Sequence, residues 1–264
     1  MSGRSLKTVA FIPARYASTR FPGKPVALIA GKPMIQHVYE RVSDARRVDE
    51  VYVATDDRRI ADVVAGFGGK CIMTSSSLRS GTDRCAEAAS KVKADIIANI
   101  QGDEPVISPA TIDAVISALT RSPKSVMSTA AVRIKDPALL ESENVVKVVL
   151  ARNGDALYFT RSVVPHLRGV DRNDYLAHYE FLKHLGIYVY RREFLKKLTK
   201  LNETPLESAE KLEQLRVLEN GHDIRVAVVE QDTISVDVPS DIAAVEEHMM
   251  NITSKEKRNA IGKA

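Results

Sequence analysis

The sequence lacks the long apolar runs and cysteine clusters that mark membrane proteins, disulfide scaffolds and zinc proteins. No apolar run approaches the roughly 20 residues that a membrane-spanning helix needs, and the apolar run at residues 9–12 is too short for a signal peptide. The two cysteines, Cys71 and Cys85, form no CxxC or Cys/His array, which predicts reduced thiols. We therefore expect a cytoplasmic protein that does not insert into a membrane.

The chain also lacks a strong excess of charge of one sign. Its net charge is +4, from 38 Lys and Arg against 34 Asp and Glu. Residues 251–264 contribute +3 and residues 1–7 contribute +2, so the rest of the chain carries −1. A nucleic-acid-binding domain would carry its basic excess in the folded body. We therefore predict no nucleic-acid partner, and we interpret residues 251–264 as a basic C-terminal tail.

What the sequence does contain is an alternation of short β-type runs with helical stretches, which predicts an α/β fold with a mostly parallel, Rossmann-like sheet. The second half has more strands and a predicted amphipathic helix at residues 207–219, which indicates a strand-rich insertion. No Pro/Gly/Ser linker divides the halves, so we expect a single domain over residues 1–250. The predicted strands lie at residues 8–12, 51–54, 71–73, 96–100, 126–134, 145–150, 156–159, 186–190 and 224–229.

The loop after the first strand has the composition of a phosphate-binding segment. Residues 13–25 hold three cations, Arg15, Arg20 and Lys24, together with Gly23, directly beyond the end of a sheet strand. Ligands bind there in open α/β folds, and backbone N–H groups with Arg and Lys suit a triphosphate. The segment is not a P-loop, because Pro25 follows the lysine where Ser or Thr is required. On composition alone, a solvated basic loop remains an equal alternative.

A resemblance favours the phosphate-binding alternative. The string IPARYASTRFPGKP at residues 12–25 is similar to the signature of the 3-deoxy-manno-octulosonate (Kdo) cytidylyltransferases. Further motifs resemble that family in the same order, over about residues 8–250. These motifs are ATD at residues 54–56, SGTDR at 80–84, QGDEP at 101–105, ALYFTR at 156–161, KHLGIYVYR at 183–191, EKLEQLRVLENG at 210–221 and VDVPSD at 236–241.

The resemblance implies a nucleotidyltransferase-type fold and a Mg²⁺-dependent reaction. CTP and Kdo give CMP-Kdo and pyrophosphate, which activates the sugar for lipopolysaccharide biosynthesis. In-line attack by the anomeric hydroxyl needs positioning and charge stabilisation rather than a covalent nucleophile, and the sequence offers no GxSxG motif. Residues 8–125 would mainly bind the nucleotide. Residues 126–250 would mainly bind the sugar and form a homodimer.

The resemblance also implies roles for individual residues. The catalytic residues would be Arg15, Arg20, Lys24 and Asp103, and the metal ligands would be Asp103 and Asp237. CTP would be bound by Arg15, Ser18, Arg20, Lys24, Thr55, Asp56, Ser80, Gly81, Arg84 and Gln101. The sugar would be bound by Gln101, Arg161, His184, Tyr188, Glu213 and Gln214. Of these, Arg161 and His184 are the predicted partners of the sugar carboxylate.

Three departures from the family pattern leave alternatives open. Thr160 replaces an expected Ser, Asp83 stands where Glu also occurs, and Val189 stands where a small residue is usual. Because Val189 neighbours the predicted sugar ligand Tyr188, an 8-amino analogue of Kdo is an alternative acceptor. A sialic-acid-type cytidylyltransferase is a further alternative, and a non-catalytic nucleotide-binding protein is a third.

Overall fold

The computed structural model describes residues 6–261, with side chains up to residue 251. Within these residues the central sheet has nine strands, and β2 pairs with β3 in a separate two-stranded sheet. The strands are β1 (Thr8–Ala14), β2 (Leu28–Ile29), β3 (Lys32–Pro33), β4 (Glu50–Thr55), β5 (Cys71–Met73), β6 (Ile96–Asn99), β7 (Met127–Arg133), β8 (Lys147–Leu150), β9 (Ala156–Thr160), β10 (Leu182–Arg191) and β11 (Ile224–Val229).

Helices connect most of these strands and cover both faces of the sheet. The α-helices are α1 (Met34–Ser43), α2 (Arg58–Gly66), α3 (Gly81–Ser90), α4 (Pro109–Arg121), α5 (Pro137–Glu141), α6 (Tyr175–His178), α7 (Arg192–Leu198), α8 (Pro205–Glu210), α9 (Leu215–Glu219) and α10 (Asp241–Ile261). Short 3₁₀ turns occupy Lys24–Val26 and Arg172–Asp174. None of the helices within residues 6–261 is long and apolar enough to cross a membrane.

The sheet is mostly parallel, as the sequence predicts. Its strand order is β11-β7-β10-β6-β1-β4-β5, and only β10 runs antiparallel to its neighbours along this path. The hairpin β8–β9 attaches to β10 at the side of this path and turns at Gly154, where φ is 85°. Three strands of the second half, β7, β10 and β11, therefore extend the same sheet that the first half begins.

The strands are apolar on both sides because helices bury both faces. On one face, Ile35 of α1, Ile60 of α2 and Ile112 of α4 belong to one cluster of fully buried residues. On the other face, Cys85 of α3 and Leu195 of α7 belong to a second cluster. This layered core holds the ends of the central strands in fixed positions, which is what a precise ligand site requires.

The prediction of one amphipathic helix at residues 207–219 is wrong. The chain forms α8 and α9, separated by Lys211, whose φ of 55° is left-handed and ends α8. The bend brings the carboxylate of Glu207 onto the guanidinium of Arg216, with Nε 2.7 Å from Oε2. It also buries Leu212 and Leu215, so tertiary packing and this ion pair override the helical periodicity of the sequence.

The C-terminal region also differs from expectation. The sequence predicts a basic tail at residues 251–264, whereas α10 continues to Ile261. The helix therefore includes most of the segment interpreted as a basic tail. Residues 262–264 lie outside the described residues, and so do residues 1–5.

Candidate active site

The candidate site lies where three neighbouring parallel strands end. Strands β6, β1 and β4 are adjacent and parallel, so the loops after Ala14, Thr55 and Asn99 leave the sheet at the same edge. The backbones approach closely at this edge. A Cβ on Gly102 would lie 3.0 Å from the carbonyl oxygen of Pro13, so the QGDEP loop packs against the first loop only with glycine there.

The first loop curls around the carbonyl group of Tyr16. That oxygen accepts hydrogen bonds from the backbone N–H groups of Ser18, at 3.0 Å, and Gly23, at 2.9 Å. Gly23 has φ 73°, and a Cβ there would lie 3.1 Å from the Tyr16 ring. The guanidinium of Arg59 stacks on the ring of Tyr16, 3.3 Å from the ring centroid. The curl ends at Gly23 and directs the next residue, Lys24, towards the centre of the site.

Lys24 joins the two aspartates that the sequence predicts as metal ligands. Its Nζ lies 2.6 Å from Oδ2 of Asp103, 3.9 Å from Oδ1 of Asp237 and 2.9 Å from the carbonyl oxygen of Val236. Arg20 approaches from the exposed side, with Nη2 3.0 Å from Oδ1 of Asp237. The backbone N–H of Val236 donates to the carbonyl of Asp103 at 2.9 Å, which ties the two segments together.

The oxygen atoms around the Lys24 ammonium are of the kind that a hard divalent cation prefers as ligands. Two carboxylates and a backbone carbonyl surround a position that the ammonium group of Lys24 occupies, so the pocket already holds a cation. Within the described part of the chain, no group of three or more His, Cys, Asp or Glu side chains is placed to hold a metal. Proteins commonly bind Mg²⁺ through one or two carboxylates, while phosphates and waters complete the shell.

A buried arginine lies beside this edge of the sheet. Arg84 of α3 is fully buried, with Nη1 3.3 Å from Oδ1 of Asp56 and hydrogen-bonded to the hydroxyl of Thr74. Its Nε and Nη2 atoms have no partner in the described residues. Buried guanidinium groups are costly unless their donors are satisfied. Two unused donors beside the predicted nucleotide loop therefore favour a role in binding an acceptor-rich ligand.

Two other predicted nucleotide residues, Ser80 and Thr55, occupy local capping and turn positions. Ser80 caps α3 by accepting from the backbone N–H of Asp83 at 3.0 Å, and the buried hydroxyl of Thr55 accepts from the N–H of Asp57 at 3.2 Å. The guanidinium of Arg15 donates to the carbonyl of Leu78 rather than to Asp103 or Asp237. The first loop and the loop before α3 are thereby joined.

Several predicted sugar residues meet at the second half of the sheet. On β10, the rings of His184 and Tyr188 lie 5.5 Å apart, and the Tyr188 hydroxyl lies 3.3 Å from Oε1 of Gln214. Nε2 of Gln214 is buried without a partner. Gly186 lies between the two rings in sequence, and a Cβ there would contact Gln101 at 3.6 Å. The structure therefore brings four of the six predicted sugar residues together.

Burial shifts the pKa of three groups in this region. It lowers the pKa of His184 to about 3, so the imidazole is neutral at pH 7 and could serve a carboxylate only as a hydrogen-bond donor, not as a cation. Burial also raises the pKa of Glu213, whose carboxylate accepts from the hydroxyl of Thr82. Glu104 is buried beside Asp103, and the two effects raise its pKa to about 7.

Arg161 stands apart from the other predicted sugar residues in its contacts. Its Nε donates to the carbonyl of Glu210 and its Nη1 to the carbonyl of Glu143, each at 2.9 Å. The carboxylate of Glu210 accepts from the backbone N–H of Arg161 at 2.9 Å, and the buried ammonium of Lys147 holds the Arg161 carbonyl at 2.7 Å. Arg161 is thus firmly held by its neighbours, and its Nη2 has no hydrogen-bond partner among the residues that the structure describes.

Sequence reasoning missed the residues that hold these side chains in place. Glu210 begins the EKLEQLR motif, so the motif itself was a signal, although no role was assigned to that residue. Asp241 accepts from the backbone N–H groups of Asp237 and Val238, at 2.8 and 3.0 Å, and so fixes the turn that carries a predicted metal ligand. Lys147 and Thr129 carry no sequence signal, because each is one residue in an ordinary strand.

Comparison with known proteins gives consistent results. A family model described as cytidylyltransferase matches residues 9–224. The chain is 53% identical to the 3-deoxy-manno-octulosonate cytidylyltransferase of Geobacter metallireducens, over 92% of this chain and 98% of the relative. It is 47% identical to the protein of the same name from Bacteroides thetaiotaomicron, over 93% of this chain and 99% of the relative.

Solved structures agree with these relatives. The fold is similar to that of CMP:2-keto-3-deoxy-manno-octonic acid synthetase complexed with CTP, with a TM-score of 0.87 and 44% identity over 93% of this chain and 99% of that chain. A cytidylyltransferase from Leptospira borgpetersenii gives a TM-score of 0.58 at 17% identity, and that likeness concerns the fold alone.

Proposed function

Because this chain belongs to the family of 3-deoxy-manno-octulosonate cytidylyltransferases, we propose that it transfers CMP from CTP to the anomeric hydroxyl of Kdo. The products are CMP-Kdo, an activated sugar for lipopolysaccharide synthesis, and pyrophosphate. The observation that carries the proposal is the convergence of Arg20 and Lys24 with Asp103 and Asp237 at one sheet edge. This edge belongs to a fold that matches a CTP-bound relative over 93% of the chain.

The residues of this edge suit in-line attack on the α-phosphorus of CTP. Lys24 and Arg20 are placed to hold the triphosphate and to offset the charge that grows on the departing pyrophosphate. Arg15 joins the first loop to the loop before α3 and brings a third cation to the same edge. The chain needs no covalent nucleophile, because fixed positions and fixed charges lower the barrier of such a transfer.

Mg²⁺ is the proposed cofactor, held by Asp103 and Asp237. When bound, it would neutralise phosphate charge and lower the pKa of a coordinated hydroxyl. The Lys24 ammonium group lies within reach of both carboxylates that would hold the metal, so the lysine and the metal would compete for them. The ammonium group would then form charge-assisted hydrogen bonds with the triphosphate of CTP.

Release of pyrophosphate tests the proposed reaction directly. With Kdo, CTP and Mg²⁺ present we expect turnover, and we expect none when any one of the three is omitted. An 8-amino analogue of Kdo and a sialic acid serve as competing acceptors. Faster turnover with either competitor would mean that this competitor, and not Kdo, is the substrate. Pyrophosphate release without any acceptor would contradict sugar transfer altogether.

We expect replacement of Arg161 by Ala to weaken sugar binding selectively. A charge-assisted hydrogen bond is worth about 1.5–3 kcal/mol, so the KM for Kdo should rise roughly ten- to a hundredfold while the KM for CTP stays nearly constant. Steady-state titration of each substrate checks this result. Because Arg161 also binds two backbone carbonyls, thermal unfolding of the same variant is the control. Equal weakening towards both substrates would assign Arg161 a purely structural role.

We propose a cytoplasmic homodimer assembled through the second half of the chain. In support, Leu157 of β9 is 61% exposed and Leu206 of α8 is 38% exposed. Both cysteines are free, which suits a reducing compartment. Sedimentation at micromolar concentration should show a dimer, and Leu157→Glu should shift it towards monomer. A parent protein that sediments only as a monomer would contradict this assembly.

A further inference from the structure

Thr129 is a fully buried residue of β7 whose hydroxyl faces three groups of β10. Its Oγ1 lies 2.7 Å from the carbonyl oxygen of Ile187, 3.2 Å from that of Leu185 and 2.9 Å from Nε2 of His184. The register of β7 against β10 shifts at this point, because Ala130 pairs with Leu185 whereas Thr129 pairs with Tyr188. The hydroxyl therefore lies in a two-residue irregularity of β10, between the two aromatic residues of the sugar region.

The single proton of the Thr129 hydroxyl determines the direction of each hydrogen bond around it. A hydroxyl has one proton to donate, and carbonyl oxygens only accept. The nearer carbonyl, that of Ile187, takes the hydroxyl proton at 2.7 Å, and the carbonyl of Leu185 shares it at 3.2 Å. Nε2 of His184 must then be the donor in its contact with Thr129, and the hydroxyl oxygen accepts.

The remaining ring nitrogen of His184 is consequently an acceptor. A neutral imidazole carries one N–H and one lone pair, so a proton on Nε2 leaves the lone pair on Nδ1. Nδ1 has no hydrogen-bond partner within the described residues. The ring itself is held by an edge contact with Phe159, whose centroid is 5.0 Å away, and by Tyr188. These contacts fix the orientation of the His184 ring, and Nδ1 is the ring nitrogen that they leave without a partner among the described residues.

We propose that Thr129 is a positioning residue that fixes His184 as the Nε2–H tautomer, so that Nδ1 accepts a hydrogen bond from a hydroxyl of the acceptor sugar. The sugar part of this inference rests on the proposed function, whereas the tautomer does not. A lone pair repels carboxylate oxygens and attracts hydroxyl donors. The sugar therefore presents a hydroxyl to His184, and its carboxylate lies elsewhere, where Arg161 offers Nη2.

Nuclear magnetic resonance of the ligand-free protein tests the tautomer without reference to activity. In ¹⁵N-labelled protein at pH 7, long-range correlations of His184 should show a protonated Nε2 and an unprotonated Nδ1. In Thr129→Val, which keeps the shape but removes the hydroxyl, this single pattern should be lost, and Thr129→Ser should restore it. A protonated Nδ1 in the parent protein would overturn the assignment.

Kinetics test the positioning role. Thr129→Val should raise the KM for Kdo about tenfold with little change in the KM for CTP, and Thr129→Ser should recover most of the loss. Ser128→Ala is the matched control, because Ser128 is the buried neighbour whose hydroxyl binds the carbonyl of Val115 at 2.8 Å on the helix side. In a His184→Ala background, Thr129→Val should add no further change in KM.

The outcomes separate this inference from the proposed function. An additive effect of Thr129→Val on His184→Ala, or equal losses in Thr129→Val and Ser128→Ala, would show that the hydroxyl only supports the core and would overturn the positioning role. If the parent protein shows the Nε2–H tautomer yet does not turn over Kdo, the proposed substrate fails while the tautomer stands. In that case the hydroxyl-bearing ligand of Nδ1 would be a different acceptor.

Discussion

Replacing Asp103 or Asp237 with Asn is expected to reduce kcat at least about a hundredfold, because each variant removes one of the two charges that would hold the metal. Asn keeps the size of the side chain and its ability to accept a hydrogen bond, so the change isolates the charge. In Asp103→Asn the ammonium of Lys24 also loses the closest carboxylate, at 2.6 Å. Release of pyrophosphate at saturating CTP and Kdo measures the loss.

The control for these variants is a carboxylate outside the site. Asp62 lies on α2 in an exposed ion pair with Arg58, so Asp62→Asn should keep parental activity. Melting temperatures of the Asp103 and Asp237 variants should stay near the parental value, since both side chains are partly exposed in the ligand-free protein. Parental turnover in either variant with Mg²⁺ present would end the assignment of these aspartates as metal ligands.

The fold was largely predictable because its signals are local. Apolar runs of four to seven residues predict the buried parallel strands, and helical periodicity predicts α1, α2 and α4 between them. The α8–α9 break was not predictable in this way. It depends on an ion pair between Glu207 and Arg216 and on the burial of Leu212, which are tertiary contacts that no periodicity reports.

The sequence could propose the residues of the site but not their arrangement. Motifs in order pointed to the loop cations and to both aspartates as candidates, yet nothing in the sequence said that Lys24 would contact both Asp103 and Asp237. The charge of His184 was also hidden, because it depends on complete burial against Phe159 and Thr129. Contacts between segments that are distant in sequence fix both features, and no local pattern of residues reports such contacts.

Lys24→Met is expected to lower kcat by roughly 10²–10³-fold, with a much smaller change in the KM for CTP. The reason is that the partner of the ammonium group, the departing pyrophosphate, carries its greatest charge in the transition state, so the contact contributes most there. Single-turnover measurement of CMP-Kdo formation checks the chemical step. Lys32→Met is the matched control, since Lys32 forms an exposed ion pair with Glu40 and not with Asp103 or Asp237.

The same variant should bind metal more tightly before CTP arrives. The Lys24 ammonium contacts both Asp103 and Asp237, so on the proposed metal site it would compete with a divalent cation, and removing it would free both carboxylates. Titration of Mn²⁺, followed by its magnetic resonance signal, should therefore show a lower Kd in Lys24→Met than in the parent, while turnover falls. Weaker binding of Mn²⁺ would mean that Lys24 organises the aspartates instead of competing for them. Tighter binding of Mn²⁺ together with lower turnover would support the proposal that Lys24 and the metal compete for the two aspartates.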